Sequence, residues 1–257
     1  MDKTHRVLII ATMDTKAKET TFLKDCLEGE GLTVLVMDAG IRGQSPLPVD
    51  ISRDRVAEAA NSSLHHVQHI GHEGKALDVM IQGAIRCAGD LYEKGEIEGV
   101  IEIGGSMGTT LGTAVMRTFP IGFPKVMIST MASKNTRPFV GTKDILMLHS
   151  VCDLSGINRI TRKVIREGGL ALAGMVKGRK IEQAETHPLV VLSTLGTTEA
   201  CAVRVREALE KAGKEVVTFH TVGSGGEAMD QLIREEDVEM VVDLSLHELG
   251  DNLFGGD

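Results

Sequence analysis

With 257 residues, 42% of them hydrophobic and 25% charged, the chain is long enough for two α/β units and has an ordinary globular composition. A net charge of −8 argues against a nucleic-acid-binding face, which needs basic residues. No apolar run approaches a membrane span, and the N-terminus runs into a strand without a signal peptide, so a cytoplasmic protein is expected.

The aromatic content is low, with no Trp and one Tyr, so the core must come from Val, Ile, Leu, Ala and the 12 Met. Cys26, Cys87, Cys152 and Cys201 match no zinc or redox spacing and read as buried free thiols. Strands are expected at 6–12, 33–38, 99–103, 125–130 and 144–149, and helices at 15–28, 52–61, 74–94, 109–117 and 158–175. The strands are β-branched and nearly continuous in apolar character, as in parallel sheets covered on both faces. A polar linker, or a helix end plus linker, follows over 176–187. A second series then gives strands at 189–195, 215–220 and 240–244, with helices at 198–212 and 226–235. The expected fold is α/β, with two open, mainly parallel Rossmann-like sheets flanked by helices. The division falls at 1–180 and 181–257, and the smaller second sheet reads as incomplete and in need of cover.

The most informative stretch is Gly99-Val-Ile-Glu-Ile-Gly-Gly-Ser-Met-Gly-Thr-Thr-Leu-Gly-Thr113. A strand stops at Gly104-Gly105, and a helical pattern follows. Free N–H groups at the start of that helix, together with its dipole, make an anion site, most often for phosphate. Gly108 keeps the turn open, and Ser106, Thr109 and Thr110 add hydroxyls. Neither the dinucleotide fingerprint nor the P-loop spacing is present.

Other strands also end in small polar turns. The first is followed by Thr12-Met13-Asp14-Thr15-Lys16, where Asp14 either caps the helix or joins Lys16 at a phosphate. Asp38 ends the second strand, as a ribose ligand or a turn former, with Arg42 close behind. Ser129-Thr130-Met131-Ala132-Ser133 follows the fourth, and the turns at 193–198 and 223–227 repeat the theme. His65, His69 and His72 would share a face of a continuous helix, with His66 beside them. Gly71 and Gly74 interrupt the segment, so a solvated loop is expected rather than a metal site. His149, at a strand end, is either a site residue or structural. Arg137-Pro138 could bring a guanidinium to the phosphate turns or reach a partner subunit.

Four motifs in order carry a resemblance: Thr12-x-Asp14-Thr-Lys16, Gly104-Gly-Ser-x-Gly-Thr109, Ser129-Thr-x-Ala-Ser133 with Val140-Gly-Thr-x-Asp144, and Gly223-x-Gly-Gly226. Together the motifs, spread over essentially the whole chain, resemble the ATP-binding family of the tomato mosaic virus resistance protein, whose bacterial members are catalogued as an uncharacterised family. The resemblance implies two α/β subdomains, a homodimer, and ATP in the N-terminal part with Mg²⁺ as companion of its phosphates. Thr12, Met13, Asp14 and Lys16 would then join the 104–110 turn around the phosphates. Asp38 or Arg42 would meet ribose or base, and 129–133 would form another wall. Two departures stand out. Met107 replaces a usual glycine, which would narrow the pocket or demand a different φ. The chain also stops early relative to the family's usual length, so it reads as truncated.

Three functions follow as expectations. The first is a cytosolic nucleotide-binding protein. The second is a metabolic enzyme acting on a phosphorylated or carboxylated small molecule between the subdomains. The third is an interaction protein regulated by its nucleotide. No motif supplies a nucleophile.

Overall fold

The computed structural model describes residues 5–179 and 187–255. They fall into two compact units divided between Arg179 and Lys180. The linker expected over 176–187 lies mostly outside the described residues, as do 1–4 and the last two; 176–178 are helical.

The first unit runs β1 (Arg6–Ala11), α1 (Met13–Gly29), β2 (Thr33–Asp38), α2 (Arg53–Ala59), α3 (Leu64–His69), α4 (Glu73–Glu93), β3 (Val100–Gly104), α5 (Ser106–Met116) and β4 (Lys125–Ser129). A 3-10 turn at Thr130–Ser133 follows, then α6 (Arg137–Val140), β5 (Leu146–His149) and α7 (Thr161–Gly178). All five strands are parallel, in the order β2-β1-β3-β4-β5. The strands alternate their side chains between two apolar layers. Val7, Ile9 and Ala11 pack with α1 and α7, while Leu8 and Ile10 pack with α2, α4 and α5. Winding reverses between β1 and β3, so α1 and α5 leave from opposite faces. A crevice opens at the carboxyl ends of those two strands, as expected at a topological switch point.

Helix α4 buries Ala76, Leu77, Met80, Ile81, Ala84, Cys87 and Ala88, a stripe at helical spacing. Gly83 within the stripe lets α2 approach, and a Cβ there would stand 1.9 Å from the Val56 carbonyl oxygen. At the amino ends of the strands, Phe119 and Phe123 stack at 4.5 Å with Tyr92 edge-on to both. The fully buried Lys125 donates to the Pro120 and Phe123 carbonyls, both at 2.8 Å, and pairs with Asp144 at 2.7 Å.

The second unit runs β6 (Leu189–Thr194), α8 (Glu199–Lys211), β7 (Glu215–His220), α9 (Gly225–Glu235), β8 (Val238–Asp243) and α10 (His247–Phe254). Its three parallel strands have the order β7-β6-β8. Met240 and Val241 on the edge strand β8 are exposed, as are Leu253 and Phe254 on α10.

Three local readings of the sequence are corrected. The segment expected as a solvated histidine loop holds helix α3, capped by the Ser63 hydroxyl, and α10 was not expected at all. Short helices carry too few turns for periodicity to stand out. Helix α5 starts at Ser106, three residues before its expected start, because Gly105 serves as its N-cap.

The α2–α4 contact separates two glycines of one helix. Gly83→Ala is expected to destabilise the protein by about 1–3 kcal/mol through overpacking. Gly89→Ala, with open space around it, is expected to stabilise by about 0.5–1 kcal/mol through helix propensity. Thermal unfolding of the two variants checks both signs.

Candidate functional site

A cleft of about 860 Å³ lies at the carboxyl ends of β1, β2 and β3. One wall is Thr12, Asp14, Thr15 and Lys16 after β1, with Ala39, Ile41 and Arg42 after β2. The facing wall comes from α3 and α4: Val67, Gln68, Gly71, His72, Glu73, Ala76 and Leu77. Gly104, Gly105, Ser106, Met107 and Gly108 complete it.

Three helix N-termini point into this region, and of these only α5 has neither a side-chain acceptor nor an acid in its first turn. In α4 the His72 ring accepts from the Lys75 amide at 3.3 Å, and Glu73 supplies a first-turn acid. In α1 the Met13 amide donates to Asp38 Oδ1 at 3.1 Å, and Asp14 is the first-turn acid. Helix α5 has neither a side-chain cap nor a first-turn acid. Its first intrahelical bond runs from the Thr109 amide to the Gly105 carbonyl at 2.8 Å. The amides of Ser106, Met107 and Gly108 therefore have no acceptor within the helix, and they carry its positive dipole end. Gly104 makes the turn possible, since a Cβ there would stand 2.8 Å from the Gly108 Cα. Met107 needs no unusual backbone: among the described residues the only non-glycines at positive φ are Asn61 and Val151. The expected demand for a different φ at Met107 is thus absent, and its half-exposed side chain lines the cleft.

The carboxylates around the cleft are engaged. Asp14 Oδ2 accepts from the Arg42 and Gly43 amides at 3.3 and 3.2 Å, and so holds the loop after β2. Helix α1 begins before Asp14, so this residue lies inside the first turn rather than at the cap. Asp38 is buried beneath the cleft and is not among its lining residues; Oδ1 takes the Met13 and Gly40 amides, the latter at 2.9 Å. Burial pushes the Asp38 carboxyl up, and the Gly40 and Met13 amides partly offset this. Arg42 pairs with Glu73 at 2.9 Å across the cleft mouth. Lys16, at a kink in α1 (φ −122°, ψ 17°), donates to the Leu154 carbonyl at 2.6 Å.

Several sequence candidates stand off the cleft. Thr109 is buried; its hydroxyl lies 2.6 Å from both the Gly105 carbonyl and Ser129 Oγ, tying α5 to β4. Thr110 donates to the Ser106 carbonyl at 3.0 Å. Ser129 accepts from the Met131 amide at 2.8 Å, and Thr130, Ala132 and Ser133 form the turn after β4. None of these six lines the cleft, nor does the exposed His149. His65 and His69 stack at 4.2 Å, and His72 caps α4; no group of metal-binding side chains occurs among the described residues. Turn chemistry did not single out the α3–α4 wall, because its residues converge only through the fold.

Glu102 was also missed, although an acid in the run Val-Ile-Glu-Ile is itself a signal. It has no exposed surface, and neither carboxyl oxygen has a hydrogen-bond partner among the described residues. Burial alone raises its pKa well above the ordinary 4.5. In the second unit, Ser193 donates to Asp243 and accepts the Leu244 and Ser245 amides at 2.8 and 3.1 Å. Two glycines of the 223–226 turn serve close packing. A Cβ at Gly225 would overlap the His220 carbonyl, and one at Gly226 the Glu248 carboxylate.

Folded Glu102 keeps a proton that the unfolded chain releases near the ordinary glutamate value. The native state therefore binds more protons, and stability falls as pH rises from that value through the raised one. Glu102→Gln is expected to flatten this fall while leaving stability at acid pH little changed. Urea midpoints across pH for both proteins check the slope; parallel curves would refute it.

Sequence similarity to known proteins extends over both units. A "UPF0261 protein" of Clostridium tetani is 39% identical over 98% of this chain and 62% of that protein. One of Rhizobium meliloti is 34% identical with the same coverage. The "ToMV susceptible protein tm-1(GCR26)" of Solanum lycopersicum is 31% identical over 98% of this chain and 36% of its own length. The chain thus spans about 62% of the bacterial relatives' length. A UDP-GlcNAc 2-epimerase structure from Neisseria meningitidis, bound to UDP-GlcNAc, aligns at TM-score 0.38 and 10% identity, covering 95% of this chain and 73% of that one. Likeness at that level carries no argument. Residues 5–181 match the Uncharacterised protein family (UPF0261) N-terminal domain and 187–257 its C-terminal domain, so the chain belongs to that family.

Proposed function

We propose that the chain binds a nucleotide, ATP foremost, in the cleft at the switch point of the first sheet. The observation that carries this reading is the uncapped start of α5. Three unengaged amides at a positive dipole end, in the wall of a cleft, suit a phosphate chain. The cleft is also lined by the apolar Ile41, Val67, Ala76 and Leu77, which suits a base. Its volume lies in the range of small-molecule sites. The choice of ATP over other phosphorylated ligands rests on the motif resemblance, and Mg²⁺ would accompany the phosphates. Asp14 and Glu73 are committed to amides and to Arg42. That favours binding over acid–base chemistry.

Titration calorimetry of the protein with ATP, ADP and AMP in magnesium tests the reading, with Ser106→Asp as the variant. An acid in the first turn suits the helix dipole, so the variant is expected to keep its thermal stability. It is expected to weaken ATP binding by about tenfold or more, roughly 1.4 kcal/mol, by occupying and repelling at the same amides. Wild-type affinity is expected to fall with each phosphate removed. Equal affinity for all three nucleotides, or an unaffected variant, would place any ligand elsewhere.

A further inference from the structure

Glu102 lies directly behind the open end of α5. In β3 it sits between Ile10 of β1 and Met127 of β4 in register. Its side chain is enclosed by α5: a Cβ on Gly112 would stand 2.0 Å from Oε2, and one on Gly108 would stand 3.1 Å from Oε1. Gly108 belongs to the first turn of α5 and lines the cleft. The carboxyl and the ligand-facing amides are therefore two sides of one piece of backbone. No charged group among the described residues faces Glu102. Strand β1 presents Ile10, β4 presents Met127, and α5 has no charged residue along its length. Asp14, Lys16, Arg42, His72 and Glu73 line the cleft, across the first turn of α5 from it. A leucine or methionine would fill an apolar slot of this kind without leaving two acceptors unpaired.

We propose that Glu102 is a proton-linked positioning residue for the cleft, so that an anion at the start of α5 and a proton on Glu102 are bound together. An ionised Glu102 would put a negative charge behind the amides that must hold a phosphate, opposing the helix dipole. A neutral Glu102 leaves the positive end of α5 unopposed. Linkage is reciprocal: whatever factor protonation adds to anion affinity, the bound anion adds to proton affinity. The proton comes from solvent, and no bond of the ligand is broken. This inference rests on the reading of the cleft as a phosphate site and adds its regulation by pH.

The test measures affinity for ATP and for inorganic phosphate between about pH 5 and about pH 9, in wild type and Glu102→Gln. The ratio of the two proteins' affinities is read at each pH, which cancels the ligand's own ionisation. Wild-type affinity is expected to fall relative to the variant as pH rises through the ionisation of Glu102, by up to about tenfold per pH unit. A constant ratio overturns the coupling and leaves the phosphate site standing. Absence of wild-type binding at every pH overturns the site itself and the coupling with it. Should Glu102→Gln fail to fold, calorimetry of the wild type in buffers of different ionisation enthalpy counts protons directly. At the pH where the stability profile shows Glu102 ionising, net proton uptake with ATP supports the proposal, and zero uptake overturns it.

Discussion

The close seating of α5 on β3 is the constraint on which the rest of the first unit depends. Gly104, Gly108 and Gly112 recur every four residues, so they form one bare face across the turn and helix. A methyl group at any of them would meet backbone or the Glu102 carboxyl within about 3 Å. Removing those methyls lets the helix axis drop toward the sheet. Its first turn then stands at the carboxyl end of the strand, with no side chain to satisfy its amides. The hydrogen bond between Thr109 and Ser129 fastens the same helix to the next strand. The open helix end and the enclosed acid are consequences of one packing distance.

The two ends of the first sheet are built for different purposes. At the amino ends, a stacked aromatic pair with Tyr92, and Lys125 held by two carbonyls and Asp144, make a closed and satisfied base. Desolvation lowers the Lys125 pKa and Asp144 opposes it, so that ion pair supports a charge that burial disfavours. At the carboxyl ends, polar groups are spent on shaping loops. Asp38 binds the start of α1 to the turn after β2, and Asp14 gathers the loop that carries Arg42. Carboxylates suited by type to meet a ligand act on backbone amides instead. The first three amides of α5 keep their hydrogen-bonding capacity unspent, with no acid beside them.

Much of this was legible in the chain. Continuous β-branched runs separated by amphipathic segments implied parallel sheets covered on both faces, and both sheets are parallel. The Gly104-Gly105 break marked the turn from strand to helix, and at Gly104 a side chain would meet the Gly108 backbone. The hydroxyl-rich turns were harder to place. Ser129 and Thr109 look like ligand donors in sequence, yet each is buried and bonded to the other. A turn's composition gives its donors but not the direction in which they face. The cleft wall from α3 and α4 had no local signature, since Val67, Gln68 and Leu77 meet the strand ends only after a crossover of the chain. Helices as short as α3 and α10 are set by caps and neighbours rather than by periodicity.

The sequence by itself determined the strands, the order of strand and helix, and the glycine turn that frees the start of α5, because those depend on local sterics and on period. Only the tertiary structure decided which polar groups would be left for a ligand. Asp14, Asp38, Lys16 and Thr109 were each drawn to partners distant in sequence or across the sheet, and Glu102 was left with none. Hydrogen-bond satisfaction is a property of the packed whole, since a buried donor or acceptor takes whichever partner the fold brings within reach.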